Sequence, residues 1–103
     1  MNERITASEL ARADGVRIID IRKKPDDRQI PGSERYDGEA LAATPPFAKD
    51  ERVVLYCGSG NSCSRIAAEL RERGYEAIAL DGGYAAWREA EFETDPITER
   101  KEI

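Results

Sequence analysis

The 103-residue sequence predicts an α/β domain: a mostly parallel central sheet of about five strands, with helices on both faces. Three observations carry that prediction. A nearly continuous β-branched run at residues 16–21 and a short apolar, β-branched one within 52–56 read as buried strands, and 76–80 reads as the next strand. Segments of helical periodicity lie between and after them, and strands alternating with helices form parallel sheets covered on both sides. Gly-containing turns, Asp14-Gly15, Gly74 and Asp81-Gly82-Gly83, punctuate the alternation.

In chain order, the segment around Ile5 is a brief strand leading into a short helix. Thr6 is its N-cap, and Glu9, three residues on, completes a capping box. Asp14-Gly15 turns the chain into the 16–21 strand. Lys24-Pro25 breaks it, and Pro25 starts a helical turn through Asp26, Asp27 and Arg28. Residues 30–49 are rich in Pro, Gly and Ala, with a short strand expected at 34–36 and a helix at about 39–43. After the 52–56 strand, residues 62–73 form an amphipathic helix with Ile66, Ala67 and Leu70 inward, ended by Gly74 at C′. The 76–80 strand and a helix over 84–90 follow, with Trp87 in the core. Residues 1–92 read as one domain, and 93–103 as a polar C-terminal tail, extended or frayed.

Composition narrows the function. Charged residues at 36% and hydrophobic ones at 40% describe a soluble globular chain. With no apolar run long enough for a bilayer and no secretory leader, the expected location is cytoplasmic, away from membranes. A net charge of −5 argues against nucleic acid as partner, and Arg22-Lys23-Lys24, the longest basic run, reads as a solvated loop. Two cysteines six residues apart make neither a disulfide framework nor a metal site. The chain has no histidine, which removes Cys-His and Ser-His-Asp hydrolases and His-ligated metal enzymes, and no cofactor is implied.

The chemistry concentrates in Val53-Val54-Leu55-Tyr56-Cys57-Gly58-Ser59-Gly60-Asn61-Ser62-Cys63-Ser64-Arg65. A strand that stops at Cys57, turns through Gly58, Ser59 and Gly60 and opens a helix leaves several N–H groups free to face the Cys57 sulfur. Those amides and the positive helix end favour thiolate over thiol. Asn61 and the hydroxyls of Ser59 and Ser62 add further donors. A loop of this kind holds an anion larger than a bare thiolate, and a persulfide fits it.

This segment resembles the active-site loop of rhodanese-type sulfurtransferases. Three other stretches agree: Ile18-Ile19-Asp20-Ile21-Arg22 resembles the early strand ending in Asp-x-Arg; Gln29-Ile30-Pro31-Gly32-Ser33 is similar to the His-Ile-Pro-Gly-Ala element, with Gln29 in the His place; and Gly74-Tyr75 with Leu80-Asp81-Gly82-Gly83-Tyr84-Ala85-Ala86-Trp87 resembles the closing signature. The likeness runs from about residue 4 to 92. It implies a rhodanese-like fold and a sulfurtransferase in which Cys57 takes sulfane sulfur as a persulfide. The donor would be thiosulfate, a polysulfide or a persulfide, small or protein-bound, and the acceptor cyanide, a thiol or a thioredoxin-like protein.

Several positions keep their alternatives. Cys63 stands where the family usually has Ser or Thr; it either packs in the first helical turn or acts as a resolving thiol that closes a disulfide with Cys57. Asp20, Arg22 and Arg65 are supporting candidates: Asp20 and Arg22 form structural hydrogen bonds or an ion pair at the strand end, with a direct substrate role as the alternative, and Arg65 lies on a solvated helix face or points over the loop mouth. Many thiosulfate-using members carry Arg or Lys inside the loop, whereas Gly58 and Ser62 leave this one uncharged, which disfavours a dianionic donor. Phosphate-ester hydrolysis, as in the related cell-cycle phosphatases, is disfavoured because Cys63 occupies the place of their Arg. Two other functions compete: a redox-sensing or sulfur-binding module using the Cys57/Cys63 pair, and an arsenate reductase.

Overall fold

A computed structural model describes residues 4–97. Its elements in chain order are β1 (Arg4–Ile5), α1 (Ala7–Ala11), β2 (Arg17–Asp20), β3 (Arg28–Gln29), β4 (Ser33–Arg35), α2 (Gly38–Ala43), β5 (Arg52–Tyr56), α3 (Asn61–Glu72), β6 (Glu76–Leu80), α4 (Gly83–Glu89) and β7 (Asp95–Pro96). The five-stranded sheet has the order β1-β6-β5-β2-β4, and every pairing within it is parallel. The predicted α/β architecture is therefore the observed one.

Alternation along β5 explains why both faces are covered. Val53 and Leu55 point into one core with Ile19, Leu41, Ile66, Leu70, Ala77 and Ala79, under α2 and α3. Val54 and Tyr56 point into the other with Leu10, Leu80, Tyr84 and Trp87, under α1 and α4. After the exposed Arg52, this strand is buried at every position from Val53 to Tyr56 and has no polar face to show to water, so helices must pack on both sides. The short α1 is held at its start by the predicted capping box: Glu9 N–H donates to Thr6 Oγ1 at 3.1 Å, and Thr6 N–H donates to the Glu9 carboxylate at 2.9 Å.

Two expectations are corrected. Pro25 starts no helical turn; the chain bends and enters β3, which pairs antiparallel with β7. Arg28 explains the choice, since its guanidinium reaches the carbonyl and hydroxyl of Thr94, and Ile97 N–H donates to Asp27 O at 3.0 Å. The start of the tail is thus extended and pinned, with Trp87 Nε1–H donating to Glu93 O at 2.8 Å. Residues 98–103, the rest of the expected tail, lie outside the described residues. Among the described residues no helix is long and apolar enough to cross a membrane.

Candidate active site

β5 and β2 are parallel neighbours in which Tyr56 lies opposite Asp20, so both strands run out at the same edge of the sheet. Cys57 follows β5 at that edge. In parallel α/β sheets such carboxyl ends, where loops diverge toward different helices, are where crevices open. Here the crevice is a pocket of about 330 Å³ whose lining includes Cys57, Gly58, Ser59, Ser62 and Arg65, with Arg22, Lys23 and Lys24 opposite them.

Cys57 sits at the base of this pocket with 7% of its surface exposed. Its sulfur accepts from Gly60 N–H at 3.1 Å and from Cys63 N–H at 3.4 Å. The thiol pKa is lowered from an ordinary 9.0 to about 5. The Cys63 S–H donating to the Cys57 sulfur is the largest cause, burial opposes it, and the amides of Cys63, Gly60 and Ser59 add to it. Cys63, fully buried beneath the loop, is driven the other way and keeps its proton, because its neighbour is the thiolate and it lies in apolar surroundings. Neither sulfur is in a disulfide.

The loop amides converge because the loop carbonyls are held elsewhere. Tyr84 N–H donates to Cys57 O at 2.8 Å and Ala85 N–H to Gly58 O at 3.0 Å, so the first amides of α4 take the outward-facing oxygens. This contact needs Gly83: a Cβ there would lie 2.6 Å from Cys57 O, 2.7 Å from Gly60 N and 2.9 Å from Gly58 O. Gly60, the N-cap of α3, has φ +98° and aims its own N–H at the sulfur, a conformation that glycine adopts without strain. In sequence Gly82-Gly83 looked only like a turn. Its role in seating the loop depends on a packing distance that no local pattern reports.

Each predicted site residue has a definite place. Gly58 and Ser59 are exposed on the pocket wall, Ser62 lines it from the first turn of α3, and Gly60 and Cys63 lie buried behind the sulfur. Asn61 is exposed at the start of α3 and is outside the lining, so its expected role as a donor to the loop is not seen. Asp20 is fully buried and accepts from Arg22 N–H at 2.9 Å, Arg22 Nη2 at 2.8 Å and Arg35 Nη1 at 2.8 Å. The structural pairing of Asp20 with Arg22 is therefore present, with Arg35 as a second cation that sequence reasoning missed. Burial works against the Arg22 charge, but Asp20 outweighs it, and the guanidinium lies 4.0 Å from the Tyr84 ring centroid. Arg65 is exposed on α3 and borders the pocket, as its loop-mouth alternative has it, and the exposed loop residues Lys23 and Lys24 border the pocket too. Among the described residues no cluster of His, Cys, Asp or Glu could hold a metal ion.

A cysteine sulfur cradled by amides at the carboxyl edge of a parallel sheet defines the class of site, and comparison with known proteins identifies the family. A family model described as Rhodanese-like domain matches residues 5–90, and the chain belongs to that family. The solved structure of a rhodanese-related protein from Thermoplasma volcanium superposes with a TM-score of 0.81 at 18% identity, covering 91% of this chain and 98% of that one. The rhodanese-like domain of an Anabaena protein gives 0.79 at 25% identity, covering 94% and 81%. A thiosulfate sulfurtransferase from Pseudomonas aeruginosa gives 0.74 at 28% identity, over 91% of this chain but 19% of that one. Among curated proteins, Protein HIGH ARSENIC CONTENT 1, mitochondrial, of Arabidopsis thaliana is 38% identical over 56 residues, 53% of this chain and 33% of that protein. A tRNA sulfurtransferase of Desulfurococcus amylolyticus is 45% identical over 40 residues, 39% of this chain and 8% of that protein. The matched region thus spans a third or less of these curated relatives.

Proposed function

We propose that this domain is a sulfurtransferase that moves sulfane sulfur through a persulfide on Cys57. Membership of the rhodanese-like family and relatives named as sulfurtransferases support the general activity. The single observation that carries the specific reading is the convergence of the Gly60 and Cys63 amides on one sulfur.

In the first half-reaction the Cys57 thiolate attacks the outer sulfur of the donor. With thiosulfate the donor S–S bond breaks, its electron pair leaves on sulfite, and Cys57 becomes Cys57–S–S⁻. In the second, a nucleophile such as cyanide attacks the terminal sulfur, the persulfide S–S bond breaks, and thiocyanate and the Cys57 thiolate are released. No proton need move in either step, which suits a site without a histidine base. The amides that hold the thiolate also face the persulfide, so both anionic states are stabilised by fixed dipoles. The kinetics are ping-pong. Replacing Cys57 with Ser abolishes thiocyanate formation from thiosulfate and cyanide; undiminished turnover by that variant refutes the reading.

The nearness of Cys63, whose own amide donates to the Cys57 sulfur at 3.4 Å, favours a second outcome for the same intermediate. Cys63 attacks the Cys57 sulfur, the persulfide bond breaks, hydrosulfide departs with the Cys63 proton, and a Cys57–Cys63 disulfide remains for a dithiol reductant. Loss of sulfide release in a Cys63→Ser variant that still forms thiocyanate supports this branch, and unchanged release removes it.

A further inference from the structure

We propose that Lys23, Lys24 and Arg65 are the donor-recognition residues of the Cys57 pocket, and that the donor is a small sulfur anion rather than a persulfide presented by a protein. The proposal rests on Cys57 being the persulfide-forming nucleophile.

The loop itself carries no charge, but the fold brings charge to it from two other elements. β2 ends beside β5, so the residues just after it, Lys23 and Lys24, face the same pocket as Cys57, and Arg65 approaches from α3. All three are exposed, and none forms an ion pair with another described residue. Arg22, in the same lining, differs: its guanidinium is buried and committed to Asp20 and Asp26. Glu39 is the one carboxylate in the lining. On a chain of net charge −5, the three cations concentrate positive charge around the pocket that holds Cys57. A concave site lined by one sign of charge raises the local concentration of the opposite ion.

Size points the same way. Cys57 is 7% exposed at the base of about 330 Å³, which lies at the small end of small-molecule pockets, roughly 300–1,000 Å³. A slender anion fits within that volume, whereas a protein persulfide needs a projecting arm to enter. The shared chemistry is a low-molecular-weight sulfane donor of net negative charge, with two sources: inorganic thiosulfate, or the persulfide of an anionic small thiol such as glutathione.

The test compares wild type with a variant combining Lys23→Gln, Lys24→Gln and Arg65→Gln, at a pH where Cys57 is fully thiolate. Rates of persulfide formation from thiosulfate and from glutathione persulfide are measured by intact mass. Alkylation of Cys57 by anionic iodoacetate and neutral iodoacetamide reads the local potential independently of sulfur transfer. Expected are falls of about tenfold for iodoacetate and for the true donor, and iodoacetamide changed by less than about twofold. The donor source is whichever of the two sulfur anions is the faster in wild type and loses this factor. The combination Lys23→Arg, Lys24→Arg and Arg65→Lys retains wild-type rates. Unchanged anion rates, an equal fall for iodoacetamide, or a protein persulfide that outpaces both small anions overturns the proposal. If neither donor adds sulfur to wild-type Cys57 while iodoacetate still outruns iodoacetamide, the persulfide reading itself has failed.

Discussion

Replacing Cys63 with Ala removes the largest single influence on the Cys57 thiolate and leaves the backbone in place. The buried S–H donates to an anionic sulfur, and a hydrogen bond to a charged group contributes about 1.5–3 kcal/mol. At about 1.4 kcal/mol per pH unit, the Cys57 pKa rises by about one to two units. The amides of Gly60, Ser59 and residue 63 remain, so the thiol does not return to its ordinary value. Cys63→Ser keeps a donor at the same position and holds the pKa near that of wild type. The assay is the rate of iodoacetamide alkylation of Cys57 against pH, which follows the thiolate fraction, with wild type giving a midpoint of about 5. Because Cys63 is fully buried, truncation also leaves a small void costing about 1 kcal/mol, which chemical denaturation reads separately. An Ala variant whose midpoint does not move refutes the assignment of Cys63 as donor and leaves the amides as the whole cause.

Other outcomes follow from the same geometry. The lowered Cys57 pKa means the folded state holds one proton fewer than the unfolded chain between about pH 5 and the ordinary thiol pKa of 9.0, so this contribution to stability is present above that value and lost as pH falls through about 5. Cys63, raised, keeps its proton when the unfolded chain loses it, so stability declines again above about pH 9; denaturant midpoints across pH should show a maximum that vanishes in a Cys57→Ala, Cys63→Ala double variant. Gly83→Ala forces a Cβ against three backbone atoms of the loop, while Gly15→Ala at φ +71° meets nothing within 4 Å. Both pay for positive φ, about 1 kcal/mol or more, but only Gly83→Ala should also raise the Cys57 alkylation midpoint. Asp20→Asn leaves the buried guanidinium groups of Arg22 and Arg35 without their shared carboxylate, and should cost about 3–5 kcal/mol in urea denaturation.

What the sequence made legible was chemistry determined by near neighbours. The strand–loop–helix around Cys57, the Thr6–Glu9 capping box and the Asp20–Arg22 pair each involve residues a few positions apart, so spacing alone specifies them. The readings that changed all depended on partners distant in sequence. Pro25 to Arg28 has the makings of a helical turn, yet Arg28 finds Thr94 across 66 positions and becomes a strand. Lys23 and Lys24 look like solvent-facing charge until β2 is laid beside β5 and their loop meets the Cys57 pocket. Arg35 carried no local sign that it would be buried on Asp20.

The most direct test of a Cys57 persulfide is the intact mass of wild type and Cys57→Ser after brief exposure to thiosulfate at pH 6, below the ordinary range of a thiol but above the lowered one of about 5. Wild type should gain the mass of one sulfur atom, removable by cyanide, and Cys57→Ser should gain none. A wild-type protein that stays at its starting mass, or a variant that gains sulfur equally, contradicts the account.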